Sequence, residues 1–178
     1  WSGNTCSLTR KFTTTSGVDV YIGDQKYAYY AGTAHTADKW YEITWNPNDE
    51  TVTFTEVEAP YYVAGEPGSF LNGVSDWSPS ASENKMTSDG AGNYSITYGP
   101  GSKNGYVNFA ITDGSWDNTW RYAAYNSSGS QLNGISVSEC GNDKNVCVSF
   151  TADIKSLTVN FDANNGQITL SSVLACTT

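Results

Sequence analysis

The sequence predicts an all-β protein built as an antiparallel sandwich. Three observations lead there. Runs with alternating or β-branched apolar residues recur along all 178 residues, with Gly, Pro, Asn and Asp clusters between them. No segment holds a helical apolar period for three turns. One strand–turn–strand pattern occurs twice.

The elements follow in order. Val18–Ile22 is the first strand-like run. Residues 41–45 put Tyr41, Ile43 and Trp45 on one face and Glu42 and Thr44 on the other. The turn Asn46-Pro47-Asn48-Asp49 leads into Thr51–Val57. Residues 61–64 form a fourth run, and 78–88 suit short helices or turns. Asp89-Gly90-Ala91-Gly92 turns into 94–98, and Gly99-Pro100-Gly101 turns toward Tyr106–Thr112. Residues 146–150 and 157–161 are further strands, and Asn164-Asn165-Gly166 turns into 167–173.

Residues 41–57 align without gaps on 157–173. Ile43 matches Val159, Trp45 matches Phe161, Val52 matches Ile168 and Phe54 matches Leu170. The second copy is longer upstream, by a segment rich in Trp and Cys. Residues 58–178 therefore read as a complete module. Residues 1–57 read as a β-rich half-repeat, packed on the module or part of it.

Eighteen Asp+Glu stand against nine Lys+Arg, and Arg10-Lys11 is the only adjacent basic pair. This excludes nucleic acid and anionic membrane as partners. No apolar run approaches ~18 residues, so no membrane insertion is expected. Only 15% of residues are charged, while Thr, Ser, Asn, Gly and Tyr abound, a surface suited to carbohydrate in a secreted setting. Four cysteines allow three pairings. Cys140 and Cys147 flank a turn-rich loop, and Cys6 and Cys176 lie near the two ends, so 140–147 and 6–176 are the expected bridges. They imply an oxidising, extracellular compartment. A zinc site is not expected, because no C-x-x-C spacing exists and His35 is the only histidine. The Asp89–Asn93 stretch lacks the alternating acidic oxygens of a calcium loop. No metal or cofactor is expected.

The segment Gly114-Ser-Trp-Asp-Asn-Thr-Trp-Arg-Tyr122 is the strongest candidate site. A pyranose face packs its C–H bonds on an aromatic plane, and its hydroxyl rim needs hydrogen-bonding side chains. Trp116 and Trp120, four apart, are expected to project to one side as a curved platform. Asp117, Asn118 and Arg121 would meet hydroxyls, and Tyr122 would extend the rim. Trp77 is a second candidate ring. The bland alternative is that both tryptophans of the segment are ordinary core aromatics.

From Tyr61 onward the order of motifs resembles a known family. The motifs are Tyr62-Val63-Ala64-Gly65, Phe70-Leu71-Asn72-Gly73, Asp76-Trp77-Ser78-Pro79 and Asn84-Lys85-Met86-Thr87. Gly92-Asn93-Tyr94-Ser95, Gly114-Ser115-Trp116-Asp117 and Leu157-Thr158-Val159-Asn160-Phe161-Asp162 follow. The order resembles the immunoglobulin-like starch-binding modules of the X25 type in bacterial pullulanases and amylases, and the SusE/SusF-like starch-binding domains. The resemblance covers roughly residues 58–173. It implies an immunoglobulin-like sandwich that binds α-1,4-glucan or maltooligosaccharide without catalysis. It also implies membership of a larger multidomain protein or cell-surface assembly. Where family members commonly carry Tyr-Gly after the Trp-Asp, this chain has Asn118-Thr119-Trp120-Arg121-Tyr122.

Two rival functions differ in class. A ligand-free adhesive spacer would pack Trp116 and Trp120 under a sheet. A small sandwich hydrolase would need two carboxylates facing across a cleft. None of Glu42, Glu56, Glu58, Glu66, Glu83 or Glu139 sits in a recognisable catalytic strand, and no G-x-S-x-G elbow accompanies His35. The chain is therefore not expected to be an enzyme.

Overall fold

The computed structural model describes residues 6–12, 18–22, 25–30, 39–46, 48 and 51–176. The chain divides into two compact units, Trp1–Ala59 and Pro60–Thr178.

In the first unit, β1 (Cys6–Phe12), β4 (Lys39–Asn46) and β5 (Thr51–Val57) form an antiparallel sheet in the order β1-β4-β5. β2 (Val18–Ile22) and β3 (Gln25–Tyr30) form a separate antiparallel pair. The alternation read in residues 41–45 is real: Tyr41 and Ile43 are buried, and Glu42 is exposed. Tyr41 meets Phe54 edge-on at 6.5 Å.

The second unit is an antiparallel β-sandwich. One sheet runs β10 (Thr119–Trp120), β9 (Tyr106–Thr112), β12 (Asn145–Phe150), β11 (Ile135–Cys140), with β6 (Tyr62–Glu66) on the other side of β9. The other runs β14 (Gln167–Leu174), β13 (Ile154–Asp162), β8 (Asn93–Tyr98), β7 (Thr87–Ser88). Among the described residues the only helical elements are 3-10 turns at Ser82–Asn84 and Tyr122–Ala124.

The core lies between these sheets. Val63, Phe109, Ile111, Val146 and Val148 from one sheet meet Leu157, Val159, Phe161, Ile168 and Leu170 from the other, all essentially inaccessible to water. Burying each such side chain stabilises the fold by about 1.5–3 kcal/mol. Phe109 and Phe161 are the largest of them. Truncating either to Ala would cost about 3–5 kcal/mol.

The repeat is visible as matched register. Trp45 pairs with Val52 and Ile43 with Phe54; in the second hairpin Phe161 pairs with Ile168 and Val159 with Leu170. The turn of the second hairpin is held by Asp162, whose Oδ1 accepts the Asn164 and Asn165 amides at 2.9 and 3.2 Å. Asp89 does the same at its turn, accepting the Ala91 and Asn93 amides at 2.8 and 3.1 Å.

Cys140 and Cys147 form the expected disulfide, their Cα atoms 5.9 Å apart, where β11 turns into β12. Of the second expected bridge, only Cys176 has a described side chain; it stands exposed just past the last strand. The side chain of its expected partner, Cys6, lies outside the described residues. No helix among the described residues is long and apolar enough to cross a membrane.

Candidate functional site

A cavity of about 390 Å³ opens on the second unit, lined by Trp77, Trp116, Arg121 and Asp143. Each wall can be traced to local structure.

Trp116 sits in the bend that follows β9. Asp113 ties this bend together: its Oδ1 accepts from the Ser115 amide at 3.3 Å and the Ser115 hydroxyl at 3.1 Å. Its Oδ2 accepts from Asn118 Nδ2 at 2.7 Å. Gly114 adopts a φ of 100°, which a side chain would resist. The bend throws Trp116 outward, where it is 44% exposed, the most exposed Trp among the described residues.

β10 then returns to pair with β9. Trp120 stands opposite Ile111. Cross-strand partners point to the same face, and Ile111 is fully buried, so Trp120 turns inward. Its ring packs 5.3 Å from Tyr61 and 4.9 Å from Phe161. The expectation of a platform made by Trp116 and Trp120 is thus corrected. Trp120 packs against the core and does not line the cavity that Trp116 lines.

Alternation places Arg121 on the outer side. Its Cζ lies 6.0 Å from the centre of the Trp116 ring, within cation–π range. Its Nε donates to Thr119 Oγ1 at 3.2 Å, and Nη1 donates to Asn145 Oδ1. Asn145 is itself buried, so the guanidinium rests on a fixed acceptor.

Trp77 reaches the cavity from the loop after β6. Its backbone holds a φ of 57°, rare for a bulky residue. Two bonds keep it there: its amide donates to the Gly65 carbonyl at 2.9 Å, and its Nε1 donates to Glu66 Oε2 at 3.2 Å. Thr112 Oγ1 donates to the Pro79 carbonyl at 2.5 Å, stitching this loop to the end of β9 beside the Trp116 bend.

Of the expected site residues, the structure gathers Trp77, Trp116 and Arg121. Asn118 is a brace inside the bend. Asp117 is exposed but does not line the cavity; its amide donates to Ser115 Oγ at 3.2 Å. Tyr122 lies in the 3-10 turn, its amide bonded to the Lys144 carbonyl at 3.0 Å and its ring 5.8 Å from Tyr125. Asn84, at the end of the Ser82–Asn84 turn, is fully buried and accepts from the Tyr98 hydroxyl at 3.2 Å. The side chains of the Tyr27-Ala28-Tyr29-Tyr30 cluster lie outside the described residues.

Two residues escaped the sequence reading. Asp143 lines the cavity from the turn between the bridged cysteines, and Glu66 anchors Trp77. Only the Cys140–Cys147 spacing hinted at the first, by implying a tight turn.

A larger groove of about 450 Å³ lies over the outer face of β7, β8, β13 and β14. Its aromatic members, Tyr94 and Phe161, are buried in the core, so it offers polar groups but no open ring. Among the described residues, no group of three or more His, Cys, Asp or Glu is placed to hold a metal. No protein-family model matches the chain, and no curated protein does.

Proposed function

We propose that this chain is a non-catalytic carbohydrate-binding module for starch-like α-1,4-glucan, acting in a secreted or cell-surface protein. The observation that carries the reading is the open indole of Trp116, facing a cavity shared with Trp77 and Arg121. Two indoles on one cavity wall give successive glucoses of an α-glucan aromatic faces to pack on. Arg121 has N–H groups to spare for adjacent hydroxyls. The motif order from Tyr61 to Asp162 supports α-glucan over other glycans. The disulfide between Cys140 and Cys147 supports an oxidising compartment.

A shallow site of this kind must order a flexible polymer, and it binds at micromolar to millimolar strength. Its use is to hold a larger protein or a cell against polysaccharide, where several weak contacts act together.

Affinity electrophoresis tests this. Wild type and a Trp77→Ala/Trp116→Ala variant are run in gels containing amylopectin, pullulan, xylan or β-glucan. The expected result is retardation by amylopectin that the folded variant loses. A wild type that migrates freely in every gel would overturn the reading in favour of a ligand-free spacer, which the inward Trp120 also suits.

A further inference from the structure

Asp143 is the wall of the cavity for which the glucan reading has no role. It is exposed at the tip of the β11–β12 turn, and among the described residues its carboxylate has no hydrogen-bond or ion-pair partner. Arg121 faces the same cavity but is not paired with it. Its guanidinium rests instead on two neutral acceptors, Asn145 Oδ1 and Thr119 Oγ1. The cavity therefore presents one uncompensated acceptor and one uncompensated donor beside two indoles.

These two groups make opposite demands. An ionised carboxylate only accepts hydrogen bonds, and a guanidinium only donates them. A glycan hydroxyl does both, so neighbouring hydroxyls of one neutral sugar satisfy both walls. A uronate or phosphate satisfies Arg121 alone and sets like charge against Asp143. The formal net charge of -9 adds repulsion of the same sign at longer range.

We propose that Asp143 is a specificity-determining residue of this site, accepting a hydrogen bond from a hydroxyl of a neutral glycan and excluding glycans that carry uronate or phosphate. The proposal rests on the glucan-binding reading and assigns the rejection of charged glycans to one side chain of that site. The Cys140–Cys147 bridge has a direct part here, because it closes the turn that carries Asp143.

The test compares wild type, Asp143→Ala and Asp143→Asn in gels cast with amylopectin or polygalacturonate, at low and at moderate salt. Asp143 is exposed and partnerless, so both variants should keep the wild-type circular dichroism spectrum. Wild type should be held by amylopectin and not by polygalacturonate. Asp143→Ala should weaken amylopectin retention about tenfold, the effect of losing a hydrogen bond to a charged group. Asp143→Asn keeps a carbonyl acceptor and should lose less. It should also gain salt-sensitive retention by polygalacturonate. If amylopectin holds Asp143→Ala as tightly as wild type, or if neither variant gains affinity for polygalacturonate, the role of Asp143 falls while the glucan reading stands. If amylopectin fails to hold wild type, the glucan reading falls and this proposal with it.

Discussion

The indole N–H of Trp77 donates to Glu66 Oε2 at 3.2 Å, which ties a ring on the cavity wall to the last residue of β6. Glu66 Oε1 also accepts from Asn108 Nδ2 at 3.4 Å, so the carboxylate is held from the neighbouring strand β9. The sandwich sheet, through Glu66, sets where the loop ring stands.

Glu66→Ala should therefore loosen Trp77 without emptying the core. Amylopectin retention should fall about fivefold, and the near-ultraviolet dichroism of Trp should weaken. Glu66→Gln keeps an acceptor for the indole and should restore most of both signals. Unchanged retention in the Ala variant would show that Trp77 needs no anchor.

The two tryptophans of the Trp116–Trp120 segment should separate cleanly by assay. Trp120→Ala removes a ring packed on Tyr61 and Phe161, and should cost about 3 kcal/mol of stability. Trp116→Ala removes an exposed ring, and should shift stability by no more than about 0.5 kcal/mol while abolishing retention. Urea denaturation beside affinity electrophoresis checks both. A stable Trp120→Ala protein that no longer binds would mean that the inward ring serves the ligand after all.

The contrast shows what was legible in the residues and what was not. Val18–Ile22, Thr51–Val57 and Tyr106–Thr112 are strands over the spans read from the sequence, because their alternation or β-branching is a local signal. The matched hairpins were legible for the same reason. β11 was missed: Ile135 and Val137 are its only aliphatic residues, and four of its six positions are Ser, Glu or Cys. The inward turn of Trp120 depends on its pairing with Ile111, and that register is set by the length of the intervening bend. Asp143 was illegible for a related reason. A tight turn between two cysteines was foreseeable, but the surface against which its tip lies is decided by the order of β9, β10 and β12 in the sheet.

Acid should unfold the second unit partly through its turns. Hydrogen bonds from Asn93 and the Ala91 amide hold Asp89 below its ordinary carboxylate pKa, and those from Asn165 and the Asn164 amide do the same for Asp162. A depressed folded-state pKa gives stability that is present above the unfolded value, near 3.9, and lost as pH falls through the folded value. The melting temperature should hold from pH 7 to about 5 and drop below about 4. Asp89→Asn/Asp162→Asn should flatten that drop. An equally steep acid limb in the double variant would place the titration elsewhere.

Reduction should affect binding through Arg121 as well as through stability. The bridge closes a loop of sequence separation 7, for which chain entropy predicts about 2.5 kcal/mol of stabilisation. The same turn supplies Asp143 to the cavity, and the following strand supplies Asn145 to Arg121 Nη1. The Lys144 carbonyl holds the Tyr122 amide at 3.0 Å. Cys140→Ser/Cys147→Ser frees the turn while leaving the β9–β12 ladder to hold the sheet. The double variant should remain folded at 25 °C with a lower melting temperature, and amylopectin retention should fall more steeply than stability alone explains. Comparing retention well below each protein's melting temperature separates the two effects. If retention there equals wild type, the disulfide serves the fold only, and the positions of Asp143 and Arg121 are secured by the strands themselves.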